Sequence, residues 1–448
     1  MMTAVPDNDE DRIAEIKARM PDSGLFAGKT WRLSPRPLAL PRKVVKEIEG
    51  LGRRLQLFLR ASNEIYLRSV KGTLPDWIAG YLDAGKPERI VKWGRESAFR
   101  EDLPRVIRPD LLLGEDGKLS MTEIDNLPGG IGLTAWLNKT YSDLGFDVIG
   151  GPRGMIDGFR GIFEGPADVV VSEESGDYRP EMEWIVGQID DGWNVVEAES
   201  YKPCGRDVYR FFELFDLEAI AHGEEVFKEA GDGLLELTAL PKAFLEEKMW
   251  SAIFWNPSLQ ETWKTAVRGA HLKRLRELIP FSWALDPEPL PHFGVLPRLG
   301  LNAWSEVADM SQKDRRLVLK ISGFSELAWG SRGVHIGHDL SQEEWGIAIR
   351  KAMAEFPKNP WVMQDFSPSM VVRHSVWDLE EGVGMDEDLR VRLCPYYFAV
   401  RNGARPEVKL GGILATLVPS DKKVLHGMSE ATLVPCMMES SGLKSIAE

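Results

Sequence analysis

Residues 108–125 read RPDLLLGEDGKLSMTEID, and two short apolar runs flank the glycine-bounded turn at residues 114–117. Glycine permits the backbone dihedrals that a tight turn requires, so this pattern predicts a β-hairpin. A turn centred on the two acidic residues of the loop would place Asp110 opposite Met121 on the neighbouring strand. The two strands would then carry acidic side chains at a fixed spacing.

Three carboxylates are expected on one face of this hairpin. Side chains alternate with a period of two along a strand, so Asp110, Glu123 and Asp125 would project from the same side. A hard divalent cation removes their repulsion, and Mg²⁺ typically takes one or two protein carboxylates together with water and phosphate oxygens. The alternative is a solvated acidic hairpin. The glycine-rich residues 126–132 that follow predict either a loop whose amides approach a ligand or simply a turn.

Composition favours a globular protein of two or three lobes. The chain has 448 residues, of which 43% are hydrophobic and 28% charged, and its formal net charge is -14. This charge disfavours extended nucleic-acid binding, and no apolar stretch approaches the length that crosses a bilayer. Three scattered cysteines fit a reduced compartment. With no apolar signal-peptide core near the N-terminus, the sequence predicts a cytoplasmic protein that acts on small molecules.

A second region of chemical interest begins at residues 317–321, LVLKI, where Lys320 stands among apolar neighbours. A serine and a glycine follow the strand, and residues 330–334, GSRGV, complete a glycine-rich loop. A lysine at a strand end can meet a phosphate as a point charge, while glycines leave amides free to surround the phosphate oxygens. The loop is no Walker motif, and the alternative is an edge-strand lysine beside a flexible turn. The predicted phosphate contacts are Lys320, Gly323, Ser331 and Gly333.

The order of elements downstream supports a nucleotide site. Residues 341–356 have helical periodicity, and residues 361–366, WVMQDF, are strand-like. A strand that ends in Gln364 and Asp365 would offer backbone hydrogen bonds to an adenine edge and side-chain hydrogen bonds to ribose. Apolar neighbours such as Phe366 would lie against the base.

Two arginines, Arg390 and Arg392, occupy a further strand-like segment. Arginine offers a planar fork that suits phosphate. We expect Arg392 to stabilise charge on a transferred phosphoryl group and Arg390 to be a solvated or salt-bridged strand residue.

The remaining elements follow from periodicity and turn residues. Helices are predicted at residues 43–61, 73–85 and 180–189, and at 244–278 with a break at 256–257. Strands are predicted at residues 168–172, 193–197, 390–400 and 410–418. The helix at 341–356 opens with Ser341 and Glu344 placed as a capping box.

These pieces, in this order, resemble the circularly permuted ATP-grasp family, the relatives of glutathionylspermidine synthetase and of permuted carboxylate-amine ligases. The likeness covers residues 106–418. The family's metal-binding E-x-N motif resembles residues 123–125, EID, and leaves either Asp125 or Asn126 as the last metal ligand.

Further motifs contribute to the likeness. The family's D-K resembles Glu247 and Lys248, which suggests Lys248 as a second phosphate-binding lysine; the alternative is a surface helix charge. The V-L-K-P strand and its glycine loop resemble residues 318–334, and the family's hinge resembles residues 362–366. The family's late G-G-x-x-R motif corresponds to residues 411–415, GGILA, in which alanine takes the place of arginine.

The resemblance implies an α/β protein of α+β lobes with a circularly permuted ATP-grasp fold, and ATP and Mg²⁺ as cofactors. ATP would phosphorylate a substrate carboxylate, and an amine would attack the acylphosphate to form an amide. One alternative is a phosphotransferase that acts on an alcohol from the same nucleotide site. Another is a degenerate ATP-grasp protein that binds nucleotide or a partner without catalysis, which the missing arginine favours. The acid, the amine and the oligomeric state stay open.

The predicted domains combine these expectations. They are an N-terminal helical segment at residues 1–88, metal-binding strands at 89–150, a small pre-ATP-grasp-like α/β lobe at 151–243, the nucleotide-binding part at 244–436 and a tail at 437–448.

Overall fold

The structure is a computed structural model that describes residues 8–21, 32–189, 191–325, 333–378, 382–401, 406–425 and 430–439. The chain forms two compact units. The first comprises residues 1–56, 97–240 and 368–448, and the second comprises residues 57–96 and 241–367. Within the described residues, no helix has the length and apolar character needed to cross a membrane.

The helices are, in chain order, α1 (Asp9–Arg19), α2 (Arg42–Glu49), α3 (Leu51–Val70), α4 (Trp77–Asp83), α5 (Glu88–Arg95), α6 (Ile131–Asp143), α7 (Gly154–Arg160), α8 (Arg179–Gly187), α9 (Gly223–Gly231), α10 (Met249–Trp255), α11 (Gln260–Val267), α12 (Gly269–Leu278), α13 (Trp304–Ala308) and α14 (Gln342–Glu355). Short 3₁₀ helices lie at Ser97–Phe99, Gly176–Tyr178, Leu214–Glu218, Ala243–Leu245, Pro257–Leu259 and Gly337–Asp339.

The strands are β1 (Leu38–Leu40), β2 (Val106–Leu113), β3 (Leu119–Asp125), β4 (Ala167–Val171), β5 (Asn194–Glu197), β6 (Asp207–Phe211), β7 (Leu237–Thr238), β8 (Ser282–Ala284), β9 (Leu317–Ile321), β10 (Val334–Ile336), β11 (Trp361–Asp365), β12 (Val371–Trp377), β13 (Gly384–Val400), β14 (Glu407–Pro419) and β15 (Thr432–Met438).

The first unit is built on a large sheet of strand order β1-β15-β14-β13-β2-β3. Strand β12 pairs with β13 as well, on residues that precede those paired with β2. Helices α6 and α7 cover the sheet. Gly158 of α7 allows close packing, because a Cβ atom there would lie 2.3 Å from the ring of Phe398 on β13. The long strand β13 therefore runs through the core of this unit.

A smaller parallel sheet, of order β5-β4-β6-β7, also belongs to the first unit. Every residue of β4 is buried, as expected for the inner strand of a parallel sheet. Helix α8 connects β4 to the edge strand β5, which makes a β-α-β crossover. The strands predicted near 168–172 and 193–197 and the helix between them are present, while a separate lobe at residues 151–243 stays a prediction.

The second unit contains an antiparallel sheet of order β10-β9-β11-β8. All five residues of β9 are buried. Aromatic side chains fill the helical part of this unit, where the rings of Phe58 and Trp263 stack at 5.3 Å and Phe254 meets Trp263 edge-on at 5.1 Å. Residues from α3 and from α10 to α12 thus share one core.

The predicted hairpin is present, but its predicted register is wrong. Asp110 pairs with Glu123 rather than with Met121, which lies opposite Leu111. The register shifts between Asp110 and Leu111, and the turn closes as a five-residue loop in which Gly114 N donates to Lys118 O over 2.8 Å. A bulge adds a residue to one strand, which no turn-centred count can include.

Other predicted elements differ from the structure in their bounds. The helix predicted at residues 43–61 is two helices, α2 and α3, that meet at Gly50. The helix predicted at 73–85 is the shorter α4. The helical region at 244–278 breaks at residues 256–257 as predicted. The sequence pattern did not indicate β1, β6, β7, β8, β10, β12 or β15.

Candidate functional site

Polar side chains gather on one face of the large sheet. Arg392, Cys394 and Tyr396 alternate along β13, and the register of β13 with β2 carries Asp110 next to Cys394 and Arg108 next to Tyr396. The same register sets Pro109 opposite a second proline, Pro395. Proline has no N–H to donate, so the ladder is interrupted at this point.

Two arginines and two aspartates form the arginine–aspartate cluster: Arg108, Asp110, Asp125 and Arg392. Arg392 Nη1 donates to Asp110 Oδ2 over 2.9 Å, and Arg108 Nε lies 3.2 Å from Asp110 Oδ1. Arg108 Nη2 lies 3.0 Å from Asp125 Oδ2. The Asp110 side chain is 8% exposed and the two arginines are 18% and 19% exposed. The predicted catalytic residue Arg392 is therefore held by a predicted metal ligand.

Electrostatics favour the charged form of this cluster. Burial opposes the charge of Arg108, but the attraction of Asp110 and Asp125 outweighs it and raises the pKa of Arg108. Burial raises the pKa of Cys394 to about 12, so the group remains a thiol at neutral pH. The Cys394 thiol accordingly donates to Asp110 Oδ1 over 3.4 Å.

Two of the predicted Mg²⁺ ligands lie beside arginine side chains in this geometry. Asp110 and Asp125 each have an arginine as partner, and a divalent cation between them would meet two guanidinium charges. Within the described residues, no group of three or more His, Cys, Asp or Glu side chains is placed to hold a metal ion. Glu123 is half-buried opposite Asp110, and Asn126 is buried. The four residues do not fit Mg²⁺ in this arrangement, and their metal role stays a prediction.

The glycine-rich loop at residues 126–132 is hydrogen-bonded to Glu181, a residue of the same unit. Glu181 accepts from the backbone N–H of Gly130 over 2.6 Å and from that of Leu133 over 3.1 Å. A carboxylate at a helix N-terminus satisfies donors that the helix leaves open. These backbone amides, which were expected to approach a ligand, thus donate to the Glu181 carboxylate of the same protein.

In the second unit, Lys320 lies on the buried strand β9 and is 9% exposed. Its Nζ donates to Gln364 Oε1 over 3.1 Å, and Gln364 Nε2 donates to Ser282 Oγ over 3.1 Å. These contacts link β9, β11 and β8, since Lys320 pairs with Val362 and Gln364 sits two residues further along β11. Two predicted nucleotide-binding residues are therefore in direct contact.

The hinge residues that follow Gln364 are engaged in strand and turn contacts. The backbone N–H of Asp365 donates to Phe281 O over 2.8 Å, and that of Phe366 donates to Arg316 O over 2.9 Å. The Asp365 carboxylate lies 2.8 Å from Arg298. Adenine would therefore have to use other groups than these two amides.

The remaining predicted phosphate contacts are distributed around β9. Lys248 directly precedes α10, is half-buried, and its N–H donates to Ser322 O over 2.9 Å. Gly323 follows β9, and Gly333 O accepts from Ile321 N over 3.4 Å. Ser331 lies outside the described residues. Glu123 belongs to the first unit and Lys320 to the second.

Several residues with polar roles in these clusters were missed by sequence reasoning. Arg108 carried a signal, because residues two apart on a strand share a face and Arg108 precedes Asp110 by two. Glu181 carried none, since the loop that it contacts is about fifty residues away in sequence. The missed residues are Lys86, Arg108, Glu181, Ser322, Cys394 and Tyr396.

Comparison with solved structures shows a mixed α/β fold of the glutathione synthetase-like kind. The structure of a glutathione synthetase-like effector from Globodera pallida, in its apo form, aligns with a TM-score of 0.58 at 12% sequence identity and covers 96% of both chains. A structure named a candidate γ-glutamylcysteine synthetase, from Methylobacillus flagellatus KT, aligns at 0.39 with 11% identity over 84% of this chain and 90% of that chain. The second value is too low to support an argument.

The sequence comparisons give no further assignment. No family model matches this sequence, and no curated protein sequence matches it. The likeness at 12% identity shows the fold alone.

Proposed function

We propose that this protein is an ATP-dependent ligase that joins a carboxylate to an amine. A carboxylate oxygen of the substrate attacks the γ-phosphorus of ATP, and ADP leaves with the bonding electron pair. The amine then attacks the acyl carbon of the acylphosphate, inorganic phosphate leaves, and the amine loses a proton to give the amide.

One observation carries the proposal: Lys320, buried on β9, donates to Gln364 on β11 next to the start of a glycine-rich loop. A lysine ammonium at this position can meet a phosphate oxygen of a nucleotide as a point charge, and the backbone amides after the strand can add hydrogen bonds to the same phosphate. The fold likeness to a glutathione synthetase-like protein supports the same reaction class.

The reaction needs positioning and charge neutralisation rather than a protein nucleophile. Lys320 would exchange its bond to Gln364 for a phosphate oxygen of ATP. Arg392 would meet the transferred phosphoryl group, and Asp110 would hold its guanidinium in place until then. Mg²⁺ bound with ATP would supply further neutralisation of phosphate charge, but the hairpin acids, paired with arginines, do not fit the ion.

The test is ADP formation with Mg²⁺ across a panel of amino acids, polyamines and peptides. We expect turnover in the wild type and its loss in Lys320→Ala and in Glu123→Ala, with unchanged circular dichroism. Lys313→Ala, an exposed lysine of the same unit, is the matched control and should retain activity. Full activity in Lys320→Ala would overturn the assignment of the nucleotide site.

A second candidate, nucleotide binding without catalysis, is favoured by two observations. The arginine–aspartate cluster pairs the predicted metal ligands internally, and Ala415, in the place of the family's late arginine, is fully buried in the sheet. This candidate predicts ATP binding that depends on Lys320 but no substrate-dependent ADP release. A phosphorylated alcohol in place of an amide product would indicate the phosphotransferase.

A further inference from the structure

A buried ion pair lies next to the predicted nucleotide site of the second unit. Lys86 Nζ is 2.5 Å from Glu247 Oε1, and both side chains are 2% exposed. Lys86 lies in the turn between α4 and α5. The preceding Gly85 has a φ of +72°, and a Cβ atom there would lie 1.8 Å from Lys358 O, so the turn packs tightly on the backbone. The lysine thus enters the interior from a fixed turn.

The other carboxylate oxygen of Glu247 accepts a short hydrogen bond from the hydroxyl of Ser322. Ser322 is the first residue after β9, two positions beyond Lys320. Its hydroxyl also accepts from Met249 N over 2.9 Å. Its own N–H donates to Pro360 O and its carbonyl accepts from Lys248 N, each over 2.9 Å. Every polar group of Ser322 is therefore bonded.

The same carboxylate packs on the first glycine of the loop. A Cβ atom on Gly323 would lie 2.9 Å from the carboxyl carbon of Glu247, so only glycine fits against it. Lys86 Nζ also lies 5.6 Å from the ring centroid of Phe324, within the range of a cation–π contact. Three consecutive residues after β9 are thus in contact with the Lys86–Glu247 pair.

We infer that Lys86 and Glu247 are positioning residues for the nucleotide site of the second unit. They fix residues 322–324, which directly follow β9, so that Lys320 and the backbone amides of these three residues hold one relative placement. A buried ion pair contributes little net stability compared with apolar side chains of similar size, and can be retained because it specifies a single arrangement. The role rests on the proposed function, since it presumes that ATP binds at Lys320.

The test separates stability from positioning with one double variant. Lys86→Met alone leaves a buried carboxylate unpaired and should lower Tm by roughly 10 °C. Lys86→Met with Glu247→Leu removes both charges and should regain most of that Tm. Because Ser322 has then lost its carboxylate partner, the Kd for ATP should stay about tenfold weaker than in the wild type. Arg274→Met with Glu277→Leu, an exposed pair of the same unit, is the matched control and should change neither quantity.

Two outcomes would overturn the inference. One is recovery of ATP affinity together with Tm in the double variant, because the pair would then serve stability alone. The other is unchanged ATP affinity in Ser322→Ala, which removes the hydroxyl and leaves the ion pair intact.

A readout without nucleotide keeps the inference distinct from the proposed function. Amide hydrogen exchange at Ser322, Gly323 and Phe324 should be about tenfold faster in the double variant, while the Leu319 amide in β9 keeps its wild-type rate. Unchanged exchange at these three amides would refute the positioning role. Failure of the wild type to bind ATP would refute the proposed function, and the exchange result would still decide whether the pair orders residues 322–324.

Discussion

Asp110 accepts from the partly buried Arg392 and lies beside Arg108, so its removal would take away the carboxylate that both arginines share and leave Asp125 as the remaining carboxylate of the cluster. We expect Asp110→Asn to lower the free energy of unfolding by about 3 kcal/mol, the scale found when one partner of a buried ion pair is removed. Urea unfolding followed by tryptophan fluorescence measures this change.

The control for Asp110 is Asp116→Asn in the turn of the same hairpin. Asp116 pairs with Lys118 at the surface, where side-chain exposures are 56% and 73%, so its loss should cost less than about 0.5 kcal/mol. For each variant, the change in the free energy of unfolding should be the same in EDTA as in Mg²⁺. A loss at Asp110 that occurs only with Mg²⁺ present would instead identify the residue as a metal ligand.

His374 couples the stability of the first unit to pH. Burial, with a contribution from Arg36, lowers the pKa of His374 to about 4, and its Nε2 lies 3.0 Å from Ser34 Oγ. This folded-state pKa lies below the ordinary value near 6.5, so between pH 6.5 and 4 the unfolded state binds a proton that the folded state does not. The free energy of unfolding is therefore fully retained above pH 6.5 and decreases as pH falls toward 4. Between pH 7.5 and pH 5, the free energy of unfolding should fall by about 2 kcal/mol more in the wild type than in His374→Gln.

Urea unfolding at the two pH values measures this difference. His222→Gln alters a surface histidine of the same unit, 2.9 Å from Glu225, and should leave the wild-type pH dependence nearly intact. Equal pH dependence in His374→Gln and the wild type would contradict the assignment.

Single residues were predictable where one strand supplied the pattern. The strands that carry Lys320 and Gln364 were predicted, and the structure brings the two side chains together, while their role in nucleotide binding stays a prediction. Their contact needs the antiparallel register of two strands about forty residues apart, which no local pattern encodes. The resemblance to a D-K pair suggested a role for Lys248 and none for the neighbouring Glu247, whose partner Lys86 lies about 160 residues away.

At the scale of elements, α14 shows how a local rule predicts a boundary. Ser341 Oγ accepts from Glu344 N, and Glu344 accepts from Ser341 N, which confirms the predicted capping box. We expect Ser341→Ala to lower the free energy of unfolding by about 1 kcal/mol, because it exposes a backbone donor of the first turn. Chemical denaturation measures the effect, and Glu343→Gln in the same turn should stay within about 0.5 kcal/mol. An equal loss in both variants would refute a capping role.

The hairpin shows where local rules fail. Its strands and turn were predicted from composition, but a bulge shifts the register, because Thr122 lies between the residues paired with Asp110 and Leu111. Asp110 meets Arg392 of β13, nearly three hundred residues away in sequence, and no local pattern predicts that contact.

At the scale of the whole molecule, the large sheet depends on its last strand. In β15, Leu433, Val434 and Cys436 are buried, and the strand lies between β1 and β14. A chain that ends at Ala431 should lose the native near-ultraviolet circular dichroism signal, because two strands would lose their partner. Met438→Ala, at a side chain that is 41% exposed, should keep the wild-type spectrum. Retention of the spectrum by the shortened chain would contradict this view of the sheet.

The division into units lay beyond local prediction for a related reason. The second unit joins residues 57–96 to residues 241–367, so a core formed by α3 and α11 draws on two distant stretches. Apolar periodicity marks the face that each helix buries but does not name the partner. Some helices and strands were therefore predictable from local patterns, while other strands and the assembly of the elements were not.

The parallel pairing of β1 with β15 also means that β1 is synthesised long before its partner strand. Leu38 meets Cys436 about 400 residues later in the chain. At ribosomal rates of about 5–20 residues per second, β1 waits roughly 20–80 s for its neighbour to emerge. During that interval its open edge can pair with other nascent strands, so chaperone occupancy of the N-terminal segment should last until translation is nearly complete.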